Sequence, residues 1–158
     1  MKKVLLACLL GCMVAIHASA ASLPLLVGEE VFALGKQTES LMGKANLTLD
    51  AEPLLGAYVY GKSEALRYPL NIIYKQTLML GTVFDNTESP ESRACALLII
   101  TTTCEQSMKN LQQALDELNA LSAANTFPLL FEAAQLYKKT IDLIGNINKQ
   151  CIALARVK

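Results

Sequence analysis

Two apolar stripes at helical spacing, both in the last third of the chain, constrain the fold more than any other feature of this sequence. Between residues 94 and 155, apolar and small residues recur at alternating intervals of four and three, which places them on one face of an α-helix. The first stripe comprises Leu97, Thr101, Cys104, Met108, Leu111, Leu115 and Leu118. The second comprises Leu130, Ala134, Tyr137, Ile141, Ile144, Asn148 and Cys151. A short polar link at 122–126 separates them, so the pattern predicts an antiparallel helical hairpin.

The remainder of the chain has the same helical character. Apolar residues recur at helical spacing between 31 and 42 and again between 70 and 84. The tripeptide Ser89-Pro90-Glu91 combines an N-cap hydroxyl with a first-turn proline and acid, which is typical of a helix start. We therefore expect an all-α protein, a small four-to-five-helix bundle built on the C-terminal antiparallel hairpin.

Some segments carry signals that interrupt this helical pattern. Gly43 predicts the end of the first helix, whereas Gly56, Gly61 and Pro69 predict that the second helix is broken or kinked. The stretch 94–103 is apolar on every face, which predicts a central position with burial on more than one side. Its β-branched residues favour a strand, but the four-three spacing continues through it, so a helix is expected.

The first twenty residues have the composition of a secretory signal. Lys2 and Lys3 form a basic start, residues 4–16 form an apolar core, and residues 18–20 are small residues of the kind that signal peptidases recognise. A retained membrane anchor is one alternative, although the apolar run is shorter than the roughly 20 residues that a spanning helix needs. Lipidation of Cys12, which follows a loose lipobox, is another.

The predicted leader determines the bounds, the location and the net charge of the processed protein. We expect residues 1–20 to be removed as a signal peptide and residues 21–158 to form a single helical domain that is secreted or periplasmic. The chain has 14 basic and 14 acidic residues, and both Lys2 and Lys3 lie in the leader, so the processed chain has a net charge of about −2. This balance argues against a nucleic-acid partner. No stable membrane insertion is expected after cleavage.

Histidine content excludes several kinds of catalytic site. The sole histidine, His17, lies in the predicted leader, so the processed protein has none. Ser-His-Asp and Cys-His nucleophile pairs, histidine metal ligands and imidazole proton relays are thereby excluded. No spacing of the remaining acids, lysines and serines indicates another catalytic centre. We expect a protein that is not an enzyme and that has no cofactor, no metal and no catalytic residue.

Three tyrosines gather in one stretch and form the candidate binding surface. Tyr58, Tyr60 and Tyr68 each join an apolar ring to a polar hydroxyl, as residues at interfaces often do. Half-buried packing at a helix boundary is the alternative explanation for the same residues. Both interpretations place them at the edge of the helical domain.

Three cysteines remain after the leader, which in an oxidising compartment predicts one disulfide bond and one spare thiol. If the chain reverses at 122–126, Cys95 lies almost level with Cys151, whereas Cys104 is several ångströms away along the axis at about 1.5 Å per residue. Axial level therefore favours a Cys95–Cys151 disulfide. A Cys104–Cys151 disulfide is the alternative, because Cys104 lies on the counted stripe and Cys95 does not. Two further possibilities are that no intramolecular disulfide forms and that a cysteine bridges two copies of the chain in a homodimer.

Two functions fit these observations. The first is an exported, non-enzymatic helical bundle that binds a partner protein, as an inhibitor, an immunity-type protein or a secreted interaction factor. The second is a carrier of a small apolar ligand. For the carrier, the pocket would be lined by tyrosines, by methionines or by a second apolar face on the last helix, which comprises Ala133, Leu136, Leu143, Ile147 and Leu154.

Overall fold

The computed structural model describes residues 27–86 and 89–156, and within these ranges the backbone is helical with short connections and no strand. The all-α prediction is therefore confirmed. The predicted signal peptide, His17 and Cys12 lie outside the described residues. In chain order the helices are α1 at 27–47, α2 at Pro53–Asn86, α3 at Pro90–Ala124 and α4 at Pro128–Ala155.

The start of α3 follows from its sequence signal. The Ser89 hydroxyl accepts a hydrogen bond from the Ser92 backbone N–H at 3.4 Å, and Pro90 occupies the first helical position, where a missing N–H costs nothing. The Ser89 hydroxyl also donates to Glu91 at 2.8 Å, and this bond lowers the pKa of the Glu91 carboxyl. The predicted helix start is confirmed.

The β-branched stretch that competes with helix, residues 99–103, lies inside α3. The hydroxyl of Thr101 donates to the carbonyl of Leu97 and the hydroxyl of Thr103 donates to that of Ile99, each at 2.9 Å. Side-chain hydroxyls thus bond to carbonyls one turn back, which lets threonine remain in a helix despite its weaker propensity. Helix, rather than strand, is the confirmed prediction.

Glycine and proline do not interrupt α1 and α2, so the predicted stop at Gly43 and a break in the second helix are wrong, whereas the kink that was the other form of the second prediction stays a prediction. The helix α1 continues to residue 47, and α2 is a single helix of 34 residues that contains Pro69. Gly56 has a packing role instead, because a Cβ atom there would lie 3.0 Å from Thr48 Oγ1 and 3.1 Å from the Ala45 carbonyl oxygen. The glycine allows the start of α2 to approach the end of α1.

The core lies between the helix faces that carry the apolar spacing. Every residue of the two stripes in α3 and α4 is buried or half-buried, and α3 contacts α4 more extensively than α2 contacts either of them. Residues of the second apolar face of α4 are buried as well, including Leu136, Leu143 and Ile147. Two buried faces place α4 between its neighbours.

Polar contacts show the direction of α1 against α4. The Lys44 ammonium lies 2.6 Å from the Glu132 carboxylate, and the Lys139 ammonium donates to the Gln37 side chain at 2.9 Å. Residue numbers fall along α1 as they rise along α4, so the two helices are antiparallel. This register places residue 27 opposite about residue 149. Within the described residues, the bundle end beyond that level is therefore built by α2, α3 and α4 alone.

No helix within residues 27–86 and 89–156 is both long enough and apolar enough to cross a bilayer.

Candidate ligand-binding groove

A groove lies at the bundle end that α1 does not reach within the described residues. Its volume is about 760 Å³, whereas two cavities beside α1 have volumes of about 350 and 320 Å³. We call it the α3–α4 groove. Its walls comprise Ala94, Leu97 and Leu98 from α3 and Ile152, Leu154 and Ala155 from α4, and Phe84 of α2 also lines it.

The groove exists because apolar side chains continue around α3 beyond the buried stripe. Leu97 belongs to that stripe and is buried, whereas its neighbour Leu98 is 66% exposed. Ala94, Leu98 and Thr101 recur at intervals of four and three, so they form a second line that faces the groove. Ile152 continues the apolar surface on α4 and is 36% exposed.

This exposure corrects the prediction that residues 94–103 are buried on more than one side. Leu98 is exposed, Ile99 is 43% exposed and Cys95 is exposed, whereas Ala96, Leu97 and Ile100 are buried. One side of α3 faces the core and the adjacent sides face the groove or solvent. An exposed apolar stripe of this kind on a helix is a feature of surfaces that bind something.

Two arginines are the only ionisable residues among those that line the α3–α4 groove in the described chain. The Arg93 guanidinium donates to the Phe84 carbonyl at 3.4 Å and lies over the Phe84 ring, with its central carbon 5.3 Å from the ring centroid. These contacts place Arg93 at the wall near the start of α3. Arg156 follows the last residue of α4 and its side chain is exposed.

The three tyrosines of the predicted binding surface lie in α2 but do not share one face. Tyr58 is half-buried against the core, whereas Tyr60 is 36% and Tyr68 is 72% exposed. Residues that are two positions apart in an α-helix are separated by about 200° around its axis, so Tyr58 and Tyr60 face in nearly opposite directions. Tyr60 borders the cavity of about 320 Å³, and none of the three lines the α3–α4 groove.

Tyr58 belongs to a polar cluster with Lys62 and Glu117. The Lys62 ammonium lies 2.5 Å from the Glu117 carboxylate and 5.3 Å from the centroid of the Tyr58 ring. Burial lowers the pKa of Lys62, but the hydrogen bond to Glu117 and the charges of Tyr58 and Glu117 outweigh it, so the pKa is raised overall. The hydrogen bond from Lys62 lowers the pKa of Glu117. Both groups stay charged at neutral pH, which suits an ion pair and not proton transfer.

The three cysteines of the described residues are free thiols, so the Cys95–Cys151 disulfide that axial level favours is not present in the structure. The helix α3 extends to Ala124, which moves the reversal about two residues beyond the predicted centre and shifts the level of Cys151 towards Cys104. Cys95 is exposed, whereas Cys104 and Cys151 are both buried.

The buried thiols are chemically suppressed. Burial raises the pKa of Cys104 to about 12, with further contributions from the charges of Cys151 and Glu105, and burial raises that of Cys151 to about 11. A thiol rather than a thiolate is a poor nucleophile. Over the described residues there is also no group of three or more cysteines, acids or histidines that could hold a metal ion.

Most residues that line the α3–α4 groove are not among the candidate site residues that the sequence indicates. Of the residues expected to line a ligand pocket, only Leu154 lines the α3–α4 groove, whereas Tyr60 and Met42 border the cavity of about 320 Å³ and Leu136 borders that of about 350 Å³. Leu98, Ile152 and Arg156 were not identified, because their exposure depends on where the helices end relative to one another. The available signal was the apolar excess of residues 94–103, which exceeds what one buried stripe requires.

Comparison with known proteins does not give the groove a precedent. No protein-family model, no curated protein and no solved structure has a significant match to this chain. Its function is therefore inferred from the chemistry of its own residues.

Proposed function

We propose that the protein is an exported, non-enzymatic carrier of a small apolar ligand, which it holds in the α3–α4 groove. One observation carries this proposal: the groove encloses about 760 Å³ and its walls are mainly apolar. Binding sites for small molecules typically enclose roughly 300–1,000 Å³ and combine apolar walls with a few polar groups. The volume and the lining both fit this class.

The hydrophobic effect would supply the binding energy. Leu98 and Ile152 present apolar surface to solvent, and a ligand in the groove would remove that surface and its own from water. At about 25 cal/mol per Å², burial of about 200 Å² of apolar surface contributes about 5 kcal/mol before the entropy cost of association. Such a site favours reversible binding, as a carrier requires.

The scaffold and the processing of the chain belong to the same proposal. The bundle is built on the antiparallel α3–α4 hairpin, which supplies both long walls of the groove. The predicted signal peptide, residues 1–20, directs the protein to the periplasm or the exterior, where residues 21–158 act as one domain. The suppressed thiols of Cys104 and Cys151 and the ion-paired Lys62 support a binding role rather than a catalytic one.

Extraction and dye binding test the carrier function. The purified protein is extracted with organic solvent and the extract is analysed by mass spectrometry, and the stripped protein is titrated with the neutral dye N-phenyl-1-naphthylamine. We expect a co-purified apolar compound and saturable dye binding. A protein that yields no compound and also ignores the dye would disprove the proposal.

A pair of matched variants locates the site. Leu98→Gln should weaken dye binding about tenfold, because it places an amide in the apolar wall. Tyr68→Gln is the control, since Tyr68 is 72% and Leu98 66% exposed but Tyr68 does not line the groove. Circular dichroism should show equal helix content in both. Equal dye affinity of the two variants would place the site elsewhere.

A second candidate function is binding of a partner protein, as an inhibitor, an immunity-type protein or a secreted interaction factor, or as a homodimer. It is favoured by the exposed Ile99, which extends the apolar surface of α3 beyond the residues that line the groove. Affinity capture from a native extract under non-reducing conditions tests it. A stoichiometric partner that is lost with Ile99→Gln would support this function over the carrier.

A further inference from the structure

We propose that residues 21–26, the segment that precedes α1, dock in the α3–α4 groove and compete there with the ligand. This segment, Ala-Ser-Leu-Pro-Leu-Leu, lies outside the described residues. Docking itself requires only the groove, whereas its effect on ligand binding rests on the proposed carrier function. Three observations support it: the place where α1 begins, the helices that line the groove, and the composition of the segment.

The start of α1 is a fixed point beside the groove. Val27 is 3% exposed and belongs to the core, and a Cβ atom on Gly28 would lie 3.1 Å from Cε2 of Tyr74 in α2. The register of α1 against α4 places residue 27 opposite about residue 149, which is about 4.5 Å short of Ile152 at 1.5 Å per residue. The preceding chain therefore leaves α1 at the mouth of the groove.

The direction of α1 leads the segment along the groove. Because α1 and α4 are antiparallel, positions before residue 27 lie level with later residues of α4. A chain that continued along α1 with the helical rise would bring residue 24 level with Ile152 and residue 21 level with Ala155, and both of these α4 residues line the groove. The wall of α3 from Thr101 to Ala94 is about 10 Å long, whereas the segment spans about 9 Å as a helix and about 20 Å when extended. The segment is therefore long enough to cover the wall.

Three helices line the groove, and α1 does not reach this level within the described residues. Phe84 belongs to α2, Leu97 to α3 and Leu154 to α4. Leu97 and Leu154 are buried core residues, so the groove continues the bundle core rather than lying apart from it. An occupant joined directly to α1 would complete at this end the four-part packing that the rest of the bundle has.

The segment has the composition of a chain that packs against a core. Three of its six residues are leucines, none has an ionisable side chain, and Pro24 lacks a backbone N–H that would need a partner. Docking would remove these leucines from water together with the exposed surface of Leu98 and Ile152. Because the segment is joined to α1, its effective concentration at the groove is high, so even weak contacts favour occupancy.

Thiol cross-linking tests where the segment lies. The processed chain carries Cys95→Ser, and its other two thiols are buried. Leu23→Cys is then combined either with Leu98→Cys, at a residue that lines the groove, or with Leu78→Cys, at one that does not. Leu78 is 43% exposed and lies four residues beyond Tyr74, whose ring is beside the start of α1, so the segment can reach both positions. In oxidised glutathione the pair with Leu98→Cys should form its disulfide about tenfold faster, as measured by mass spectrometry.

Dye binding tests the competition. Leu23→Gln combined with Leu25→Gln makes the segment more polar and leaves the groove residues unchanged. The stripped processed chain with both changes should bind N-phenyl-1-naphthylamine about tenfold more tightly, which corresponds to a segment that fills the groove about nine-tenths of the time. Leu47→Gln combined with Leu54→Gln is the matched control, because these leucines are 84% and 86% exposed and do not line the groove. It should bind the dye like the unmodified protein, and circular dichroism should show equal helix content in all three.

The outcomes separate this inference from the carrier function. Equal cross-linking rates of the two thiol pairs would overturn the docking, and saturable dye binding would still support the carrier function. Dye affinity that the segment variant leaves unchanged or weakens would overturn the competition in the same way. Rapid cross-linking to Leu98→Cys, in a protein that binds no dye with or without the segment changes, would support the docking and count against the carrier function.

Discussion

The phenol of Tyr137 donates a hydrogen bond to the backbone carbonyl of Lys62 at 2.8 Å and thereby joins α4 to α2. Tyr137 is among the largest fully buried side chains of the described protein, and it belongs to the apolar stripe of α4. Its ring fills the core while its hydroxyl finds a partner in the next helix, which is the arrangement that makes a buried tyrosine tolerable. Burial raises its pKa to about 12, helped by the charges of Tyr58 and Glu117.

Replacement of Tyr137 by phenylalanine removes this bond and keeps the ring. We expect the free energy of unfolding to fall by about 1 kcal/mol, the usual net value of a hydrogen bond in a folded protein. Urea denaturation followed by circular dichroism measures the change. Tyr68→Phe is the control and should have no effect, because Tyr68 is largely exposed. Equal stability of the two variants would show that the bond contributes nothing.

The raised pKa of Tyr137 also predicts how stability depends on alkaline pH. Its folded pKa of about 12 lies above its ordinary value of 10.0, so the unfolded chain loses this proton first. The corresponding stability is fully present below pH 10 and is lost as the pH rises towards 12. Cys104 causes a further loss of stability that begins near pH 9, because burial raises the pKa of its thiol from 9.0 to about 12.

Thermal melts between pH 8 and pH 12 test this dependence. The melting temperature should fall steadily above pH 9, and the part of the fall above pH 10 should be smaller in Tyr137→Phe than in the unmodified protein. A melting temperature that is constant up to pH 11 would contradict the burial of these groups.

The thiols should differ in reactivity. Exposed Cys95 should react with Ellman's reagent in the native protein within minutes at pH 8, whereas Cys104 and Cys151 should react only when the protein unfolds. The reason is that both groups are buried and have pKa values of about 12 and 11. In the processed chain, residues 21–158, a Cys95→Ser variant should show almost no native reaction, because only Cys104 and Cys151 then remain. Rapid labelling of that variant would indicate that the α3–α4 interface opens.

The sequence predicts the helices of this protein well and their ends poorly. The stripes of α3 and α4 could be recognised because helical spacing records which side chains face the core. The end of α3 could not be recognised, because residues 122–124 are compatible with helix. The helix stops at Asn125, whose side chain donates a hydrogen bond to the Leu121 carbonyl at 2.9 Å. That difference of about two residues also moves the level of Cys151 away from Cys95, the partner that axial level favoured, although neither Cys95 nor Cys104 is bonded to Cys151.

The α3–α4 groove was beyond prediction for a related reason. Its existence depends on the register of α1 against α4, which is visible in contacts such as that of Lys44 with Glu132. Contacts between residues far apart in sequence leave no periodic signal along the chain. Leu98 and Ile152 are consequently indistinguishable from core residues in the sequence alone, and only their exposure identifies them as groove residues.

The glycines of α2 provide a matched test of its packing. Gly56→Ala should destabilise the protein by about 1–3 kcal/mol, because the new Cβ atom would lie 3.0 Å from Thr48 Oγ1 and 3.1 Å from the Ala45 carbonyl oxygen. Gly61→Ala, five residues later in the same helix, should stabilise it by about 0.5–1 kcal/mol, because nothing lies within 4 Å and alanine is the better helix former.

Urea denaturation of both glycine variants measures the two changes in the same helix. Changes of opposite sign in the free energy of unfolding would show that α2 is continuous through both positions, since a helix break at Gly61 would remove the gain from alanine there. They would also show that Gly56 is required only for the close approach of α1. If both variants gained stability, the contact of Gly56 with the end of α1 would be looser than 3.0–3.1 Å. If both variants lost stability, the chain near Gly61 would not be helical, and this result would support the predicted break in the second helix.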